Sequence, residues 1–208
     1  MKNFDFNTVK DFDNHISSSI LGYDLLYSLV KNLIEFYIKD GVVYDLGCTS
    51  GKLISEIKEE HKVDCVGYDI TDKNFIYDNI KLIKADIVKD KIDLSNADVI
   101  MSIFTLQFIR FDDRIKVLKK VYDNLSDTGC FILCEKERSV FDHKFEFANY
   151  QNKRNNFSDK EILDKERALR KVMHPVTTVQ NRNLLNNAGF EHEIFFKSLN
   201  FTGYICTK

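Results

Sequence analysis

Glycine, proline and tryptophan are scarce in this sequence. Its 208 residues include 8 Gly, 1 Pro and no Trp, against 17 Phe and 9 Tyr. So little glycine and proline excludes a collagen-like chain. Hydrophobic residues make up 44% of the sequence, which excludes an intrinsically disordered chain. We therefore expect a globular chain, and its length fits a single domain over residues 1–208 with a sizeable buried core.

Long apolar segments and an excess of one charge are also missing. No apolar run approaches the roughly 20 residues that a membrane-spanning helix needs, and the first residues lack the apolar stretch of a signal peptide. The 30 basic and 32 acidic residues give a net charge of -2, whereas nucleic-acid-binding domains are typically basic. These features predict a cytoplasmic protein that neither associates with membranes nor binds nucleic acid directly.

The cysteines and histidines form no metal or disulfide pattern. Five cysteines are an odd number, and no Cys-x-x-Cys pair is present. We expect all five to be reduced and to act as small buried hydrophobic residues. The histidines are scattered without the spacing of metal ligands, so no metal site is expected. The cysteines are Cys48, Cys65, Cys130, Cys134 and Cys206.

Short apolar runs alternate with amphipathic segments along most of the chain. The runs are of strand length and end at turn residues, whereas the segments between them have helical spacing. This alternation predicts an α/β domain with a Rossmann-like, seven-stranded and mostly parallel sheet between two helical layers. The last two strands follow one another closely and must be antiparallel. The predicted strands cover residues 42–46, 63–68, 81–84, 98–104, 130–135, 191–197 and 201–207, and the predicted helices include 22–39, 115–125 and 177–188.

Residues 136–175 interrupt the alternation after the fifth strand. They hold ten Lys or Arg residues against seven Asp or Glu, so their net charge is positive in a chain whose total is -2. Ser158 followed by Glu161 is typical of a capping box and predicts a helix that runs to about Met173. An insert at the carboxyl end of a parallel sheet lies over the usual ligand site, so we expect either a lid over a ligand or a solvated cover.

A strand, a glycine turn and a helix follow one another from residue 42 onward. This order is typical of a nucleotide-type site, because glycine lets a ligand approach the backbone closely. Only Gly47 and Gly51 are present, so the three-glycine fingerprint of a dinucleotide site is absent. Asp45 precedes the turn, where its charge would repel a pyrophosphate and suits a cationic ligand. S-adenosylmethionine is such a ligand, and Asp45 is the candidate partner of its ammonium group.

Acidic residues also end the next two strands. Asp69 follows the second strand, twenty-two residues after Gly47, where a carboxylate can accept both ribose hydroxyls. Asp86 follows the third strand and is a candidate acceptor for the adenine amino group, with the Ile87 backbone N–H as a donor to a ring nitrogen. An Asp in this place also commonly starts a turn. Three acidic strand ends in this order favour a site for S-adenosylmethionine.

Motifs spread over nearly the whole chain add to this constellation. They are Phe4-Asp5-Phe6, Gly22-Tyr23, Tyr44-Asp45-Leu46-Gly47-Cys48, Phe104-Thr105-Leu106-Gln107-Phe108, Glu135-Lys136, Glu161-Ile162 with Lys165, and Ala188-Gly189-Phe190. The chain resembles the class I methyltransferases that use S-adenosylmethionine and, more closely, the carboxy-S-adenosylmethionine synthase family. The Phe-Thr-Leu-Gln-Phe run is the most specific of these motifs, whereas the glycine turn is shared by many methyltransferases.

The resemblance implies a methyltransferase fold, a homodimer and a reaction that transfers no methyl group. In this reaction prephenate carboxylates the sulfonium methyl of S-adenosylmethionine and leaves as phenylpyruvate. The product feeds a separate enzyme that modifies the wobble uridine of tRNA. The bound cofactor is then S-adenosylmethionine or its carboxylated derivative. The candidate cofactor contacts are Tyr23, Asp45, Gly47, Cys48, Thr49, Asp69, Ile70, Asp86, Ile87, Phe104, Thr105 and Gln107.

Some of these contacts have an equally good structural explanation. Core packing explains Phe104 as well as a ligand does, and a helix start explains Tyr23. Thr105 and Gln107 are harder to explain by packing, because polar residues at the carboxyl end of a central strand usually line a site.

Two positions depart from the family pattern. An Asn that precedes the Phe-Thr-Leu-Gln-Phe run in the family is Ile103 here, and the carboxylate-binding Arg of the family corresponds to Glu166. Carboxylates are best recognised by the fork of an arginine, and Glu166 would repel them. Arg167 and Arg170 are therefore the candidate catalytic residues that recognise prephenate. If neither serves, the protein is an ordinary methyltransferase of a small molecule or a non-catalytic cofactor-binding subunit.

Overall fold

The fold is built on one mixed β-sheet. The computed structural model describes residues 16–208, and the Phe4-Asp5-Phe6 motif lies outside them. The strands are β1 (Val42–Leu46), β2 (Asp64–Asp69), β3 (Lys81–Lys84), β4 (Ala97–Ile103), β5 (Leu125–Arg138), β6 (Val176–Thr177), β7 (Glu191–Ser198) and β8 (Phe201–Thr207). The main sheet has the order β3-β2-β1-β4-β5-β8-β7. β1 to β5 are parallel, and β8 is antiparallel to β5 and β7, which confirms the predicted fold class.

Helices cover both faces of this sheet. They are α1 (Tyr23–Ile34), α2 (Lys52–His61), α3 (Phe111–Asn124), α4 (Asp142–Lys153), α5 (Asp159–Leu169) and α6 (Thr178–Ala188). Successive strand residues face opposite sides, so Val43 packs in the same core cluster as α1 and α2, and Tyr44 in the same cluster as α3 and α6. The apolar runs of the central strands are thus buried from both sides, as in other parallel sheets.

The first helix is shorter than its sequence pattern predicts. The apolar spacing continues to residue 39, but α1 ends at Ile34. The carboxylate of Asp98 accepts hydrogen bonds from the backbone N–H groups of Lys39 and Gly41, at 2.7 and 2.8 Å. These bonds hold the chain in the turn that leads into β1, and they come from a residue far along the sequence.

The fifth strand is longer than predicted at both ends. It begins at Leu125, which pairs with Ala97, and after an irregularity in the register the ladder resumes where Cys130 pairs with Val99. At its other end β5 continues to Arg138, beyond the predicted end at residue 135. The insert therefore comprises residues 139–175 instead of 136–175.

The insert is helical, as predicted, and both of its ends are held beside β5. The Ser158–Glu161 capping box is present and starts α5, which ends at Leu169, four residues before the predicted end. The chain then returns to the sheet, because the His174 backbone N–H donates to the Gln107 carbonyl at 2.7 Å. β6 follows and pairs in parallel with the last residues of β5.

Glu137 connects the end of β5 to its neighbours. Its carboxylate is only 2% exposed and accepts hydrogen bonds from Thr178 and Asn181 of α6, at 2.6 and 3.0 Å. On the other side it accepts from Lys197 at 2.8 Å and from Thr202 at 2.5 Å, and also from the hydroxyl of Tyr204. One buried carboxylate thus joins β5, α6, β7 and β8.

Within residues 16–208, no helix combines the length and the apolar character that crossing a lipid bilayer requires.

We expect Glu137→Gln to lower the free energy of unfolding by about 1.5–3 kcal/mol, the worth of a hydrogen bond to a charged group, because an amide cannot accept all five hydrogen bonds of the carboxylate. Burial by itself raises the pKa of Glu137, but hydrogen bonds from Lys197, Thr178, Thr202 and Tyr204 outweigh burial and hold the pKa below its usual range. The stabilisation is therefore complete above the unfolded-state pKa and disappears as the pH falls through the native-state pKa.

Urea denaturation from pH 3 to pH 7 measures this effect. The difference between the wild type and Glu137→Gln should be largest at neutral pH and should shrink in acid. Glu193→Gln, on an exposed position of β7, is the matched control and should change stability little. An equal stability of both variants at pH 7 would contradict the role of Glu137.

Candidate functional site

The glycine turn after β1 lies directly against the end of β4. Gly47 has a φ of +92°, a conformation that favours glycine, and its N–H donates to the Tyr68 carbonyl of β2 at 2.7 Å. A side-chain carbon added at Gly47 would lie 2.0 Å from the Thr105 hydroxyl oxygen. The turn is therefore held between two strands, and only glycine fits at this position.

Asp69, at the end of β2, holds two neighbouring loops. One of its carboxylate oxygens accepts from the Thr49 N–H at 3.0 Å and the other from the Thr71 N–H at 3.1 Å. Burial raises the pKa of Asp69, while these backbone hydrogen bonds oppose the increase. Each oxygen retains a further lone pair, so the carboxylate can still accept hydrogen bonds from a ligand.

Asp45 lies beneath the glycine turn and is almost fully buried. Burial and the nearby charge of Asp69 raise the pKa of Asp45 to about 7. Among the described residues its Oδ1 atom has no hydrogen-bond partner. A buried carboxylate oxygen without a partner is rare in proteins, and a cationic group above the turn would supply the missing interaction.

Cys48 is buried in the core beside this turn. Its backbone N–H donates to the Tyr68 carbonyl at 3.1 Å, and its carbonyl accepts from the Gly51 N–H at 2.9 Å. Its sulfur packs over Gly67, where an added side-chain carbon would lie 2.6 Å from Sγ. Burial raises the pKa of the thiol. The five cysteines are all buried free thiols.

A cavity of about 200 Å³ opens above the strand ends. Most of the residues predicted for the cofactor line it, whereas Tyr23, Asp45, Cys48 and Gln107 do not. The predicted residues in its wall are Gly47, Thr49, Asp69, Ile70, Asp86, Ile87, Phe104 and Thr105. We call this space the cofactor cavity.

Sequence reasoning missed several residues of the cofactor cavity. Asn74 and Phe108 line it without having been predicted, and Ile103, already noted as a departure from the family pattern, lines it too. The side-chain nitrogen of Asn74 is buried and has no hydrogen-bond partner among the described residues. Asn74 lies in an irregular segment between β2 and β3, so no periodicity indicated it.

Asp86 both starts a turn and lines the cofactor cavity. Its carboxylate accepts from the backbone N–H groups of Val88 and Lys89, at 3.0 and 3.3 Å, and forms an ion pair with the Lys89 ammonium at 2.9 Å. The hydrogen bond from Lys89 holds the pKa of Asp86 below its usual range. The structural explanation and the functional one therefore apply together at this residue.

The loop after β4 separates the cofactor cavity from a second one. Phe104 has a φ of +57°, which is unusual for a residue other than glycine, and it lines both spaces. Gln107 is buried, and its side-chain oxygen accepts from the Lys136 N–H at 2.7 Å. Gln107 thereby ties the loop to β5 and contributes to the wall of the second cavity.

The second cavity, of about 100 Å³, is lined by Lys136 of β5, Lys153 of α4, Lys165 of α5 and Glu166. We call it the lysine cavity. Lys153 is 8% exposed and forms an ion pair with Glu166. The ammonium of Lys165 donates to the Ser19 hydroxyl at 2.8 Å. Its lysines come from three separate elements, so no local spacing in the sequence indicated this cluster.

The two arginines proposed from the sequence lie on the outer side of the insert. Arg167 is largely exposed and lies 3.6 Å from the Asp164 carboxylate on the same helix. Arg170 lies 3.3 Å from the Glu146 carboxylate and lines a larger, outer cavity of about 850 Å³. The lysine cavity and this outer cavity share Lys136 and Glu166 in their walls.

The cofactor cavity has the features that S-adenosylmethionine requires. Asp69 and Asp86, the predicted partners of the ribose and the adenine, both line it, and so does the Gly47 turn. Asp45 does not line this cavity, so its contact with the ammonium end of the cofactor stays a prediction. No cluster of His, Cys, Asp and Glu suited to a metal occurs between residues 16 and 208.

Comparisons with known proteins agree with this geometry. The methyltransferase domain family matches residues 44–133. The carboxy-S-adenosyl-L-methionine synthase of Staphylococcus epidermidis is 33% identical, over 97% of this chain and 94% of that protein. The enzyme of the same name from Wolinella succinogenes is 32% identical, over 99% and 92%.

Solved structures share the fold at low sequence identity. The plantazolicin methyltransferase BpumL in complex with SAH matches with a TM-score of 0.69 at 14% identity, over 95% of this chain and 88% of that one. A SAM-dependent methyltransferase from Archaeoglobus fulgidus matches with a TM-score of 0.64 at 14% identity, over 89% and 94%.

We expect Asp69→Ala to weaken the binding of S-adenosylmethionine at least tenfold. Hydrogen bonds to a charged group are worth about 1.5–3 kcal/mol each, and the variant loses those that the ribose hydroxyls make. Isothermal titration calorimetry measures the affinity, and thermal melting verifies that the fold is retained. Asp72→Ala removes an exposed carboxylate three residues away and is the matched control. Unchanged affinity in Asp69→Ala would refute its role.

Cys48→Ala should bind S-adenosylmethionine within about threefold of the wild-type affinity, because its sulfur packs on the core side of the turn. The same titration measures this. A large loss of affinity in a variant with an unchanged melting temperature would show that the thiol contacts the ligand.

Proposed function

The chain belongs to the carboxy-S-adenosyl-L-methionine synthase family, and from that premise we propose that it converts S-adenosyl-L-methionine and prephenate into the carboxylated cofactor and phenylpyruvate. The chain is a transferase that uses S-adenosylmethionine, with the fold of the class I methyltransferases. The reaction itself and its substrate are the proposal. The main support for this proposal is the position of the lysine cavity beside the cofactor cavity.

The lysine cavity offers positive charge where an anionic substrate must lie. It shares Phe104 and Phe108 with the cofactor cavity, so a ligand in one space borders a ligand in the other. Its apolar wall suits a ring, and its ammonium groups suit a carboxylate. Prephenate combines a ring with carboxylates, which matches both parts of the wall.

The Lys153–Glu166 ion pair explains how this site tolerates Glu166. Burial raises the pKa of Glu166, but the charges of Lys153 and Lys136 outweigh burial and hold it below its usual range. The carboxylate is thus ionised and compensated. A glutamate in place of the arginine of the family therefore leaves the excess of basic groups in the cavity intact.

Arg170 is the better placed of the two arginines for a second contact. It lines the outer cavity, which shares Glu166 with the lysine cavity, whereas Arg167 pairs with Asp164 at the surface. We propose that Arg170 guides the anionic substrate inward and that the lysines hold it. Arg167 remains a candidate for the same contact only if α5 rotates.

The residues of this chain act by binding and orienting. S-adenosylmethionine supplies, when bound, the sulfonium-activated methyl group that receives the carboxyl carbon. Asp69 and Asp86 hold its ribose and adenine, Asp45 attracts its ammonium group from beneath the glycine turn, and the lysines hold the substrate against it. Prephenate loses its ring carboxylate and its hydroxyl group, and the hydroxyl takes up the proton that leaves the methyl group and departs as water. The proposal therefore needs no protein base.

Two observations favour an ordinary methyltransferase as the second candidate. Glu166 and Ile103 differ from the family at positions that face the two cavities. A small organic acid that accepts a methyl group would use the same lysines.

The third candidate is a cofactor-binding subunit without catalysis. It would form neither the carboxylated cofactor nor S-adenosylhomocysteine.

We further propose a cytoplasmic homodimer whose product serves tRNA modification by another enzyme. The insert exposes Val140, Phe141, Phe147 and Leu163, and exposed apolar residues grouped on one segment favour self-association. Light scattering coupled to size-exclusion chromatography measures the oligomeric state. A monomer at micromolar concentration would contradict the dimer.

Mass spectrometry of the cofactor after incubation with prephenate tests the reaction. We expect a species heavier than S-adenosylmethionine by the mass of carbon dioxide, formed only when prephenate is present, together with phenylpyruvate. If only S-adenosylhomocysteine accumulates on addition of small organic acids, the protein is an ordinary methyltransferase. If the cofactor binds and stays unchanged under all conditions, the chain is a binding subunit.

Lys153→Met should reduce the prephenate-dependent product at least 30-fold while leaving the affinity for S-adenosylmethionine nearly unchanged. The variant removes one cation from the cavity and the ion-pair partner of Glu166, and loss of a partner for a buried charge costs about 2–5 kcal/mol. Initial rates by mass spectrometry and affinity by calorimetry separate the two effects. Lys160→Met, an exposed position at the start of α5, is the control. Product formation at the wild-type rate in Lys153→Met would remove the lysine cavity from the mechanism.

A further inference from the structure

One charged side chain lies on the buried face of α3. The apolar residues of this face are Val117, Leu118 and Val121, and Arg114 precedes them at helical spacing. Arg114 is 1% exposed, and burying a charged group is costly unless it is paired and hydrogen-bonded. Arg114 lines none of the three cavities described above. The contacts of its guanidinium therefore indicate what it does.

The guanidinium of Arg114 contacts three separate segments of the chain. Its Nε atom donates to the Ile109 carbonyl, in the loop after β4, at 3.1 Å. One terminal nitrogen donates to the His174 carbonyl at the end of the insert. The other terminal nitrogen lies 3.7 Å from the Glu135 carboxylate of β5. Arg114 thus joins the loop after β4, the end of the insert and β5.

The geometry of these contacts separates their roles. An arginine can pair with a carboxylate through two parallel hydrogen bonds, but the 3.7 Å separation between Arg114 and Glu135 is too long for even one. The hydrogen bonds of the guanidinium go instead to two main-chain carbonyls. Glu135 therefore supplies the compensating charge, whereas Arg114 holds the two carbonyls in place.

The end of the insert is held on both sides of His174. Its N–H donates to the Gln107 carbonyl at 2.7 Å, and its carbonyl accepts from Arg114. The next residue is Pro175, which has no N–H to donate. The contact with Arg114 is therefore one of the few polar interactions that fix this part of the backbone before β6 begins.

Each residue that Arg114 contacts is next in sequence to a residue in the wall of the lysine cavity. These neighbours are Phe108 beside Ile109, Met173 beside His174, and Lys136 beside Glu135. A shift of the backbone at one residue also moves the residue next to it. The contacts of Arg114 therefore set the distances between three parts of the wall that come from distant places in the sequence.

We propose that Arg114 is a positioning residue of the substrate site, because it fixes the wall of the lysine cavity and thereby the place of an anionic substrate relative to the cofactor. The inference rests on the proposed function for the identity of that substrate. Arg114 lines neither the lysine cavity nor the cofactor cavity, so it acts through its neighbours. A misplacement of about 1 Å can cost a factor of about 100 in rate, so a residue outside the cavities can control the reaction.

Two variants remove the carbonyl contacts without leaving a buried carboxylate uncompensated. Arg114→Met/Glu135→Gln removes both charges, and Arg114→Lys keeps a cation beside Glu135 but lacks the fork that reaches two carbonyls. Glu135→Gln leaves both carbonyl contacts in place, and Lys119→Met, at an exposed position of the same helix, is the surface control. Thermal melting verifies the fold, and if one of the first two variants does not fold, the other provides the test.

Kinetics separate the substrate from the cofactor. Arg114→Met/Glu135→Gln and Arg114→Lys should lower kcat/KM for prephenate at least tenfold. Their affinity for S-adenosylmethionine, measured by calorimetry, should stay within about threefold of the wild type, because the predicted partners Asp69 and Asp86 follow other strands. Both values should stay within about threefold in Glu135→Gln and Lys119→Met. A residue that merely stabilises the fold would lower both values together, through the folded fraction.

Hydrogen exchange measures the same contact without a substrate. The backbone N–H groups of residues 170–174 all donate hydrogen bonds. In protein saturated with S-adenosylhomocysteine, these amides should exchange at least tenfold faster in Arg114→Met/Glu135→Gln and in Arg114→Lys, whereas the amides of α6 and those of Glu135→Gln should resemble the wild type. Unchanged exchange at the end of the insert, a wild-type kcat/KM for prephenate, or an equal loss of affinity for S-adenosylmethionine in these two variants would each overturn the proposal.

Failure of this inference and failure of the proposed function give different results. A wild type that forms no carboxylated cofactor would refute the synthase reaction, and the exchange measurement then still decides whether Arg114 holds the end of the insert. Formation of the carboxylated cofactor together with unchanged exchange in the variants would refute only the role of Arg114.

Discussion

The close contact between Gly47 and Thr105 determines how the rest of the site is arranged. β1 and β4 are neighbours in the sheet, and their following loops approach so closely that no side chain fits at Gly47. The contact brings the glycine turn and the loop after β4 into one continuous surface. Phe104 lies next to it in a left-handed conformation and borders both the cofactor cavity and the lysine cavity. The positions of the two cavities relative to each other thus depend on one interaction between backbone and side chain.

The sequence patterns predicted the architecture because it depends on local chemistry. Alternating apolar runs, the glycine turn and the capping box at Ser158 each act within a few residues, and all of them are present in the structure. The end of α1 and the extension of β5 could not be predicted in this way. The first depends on Asp98. The second contains Glu137, whose carboxylate accepts hydrogen bonds from five side chains of later elements.

The cofactor cavity and the lysine cavity also differ in how far the sequence could predict them. The acidic strand ends were visible in the sequence, since a parallel sheet brings the carboxyl ends of neighbouring strands together. The lysine cavity was not visible, because Lys136, Lys153 and Lys165 meet only when α4 and α5 fold back over the end of β5. Reasoning along one helix led to Arg167 and Arg170, which lie on the outer side of that arrangement. From the sequence, Glu166 was expected to repel a carboxylate substrate. In the structure its charge is compensated by an ion pair with Lys153.

The insert begins and ends at adjacent positions of the sheet, since Arg138 at the end of β5 pairs with Thr177 of β6. A segment whose two ends lie side by side is an insertion loop, and its length does not change the register of the strands beneath it. Doubling the length of such a loop adds only about 0.6 kcal/mol of closure entropy. Descendants of this chain can therefore gain or lose turns between residues 139 and 175 and acquire new acceptor specificity while inheriting the nucleoside-binding half unchanged.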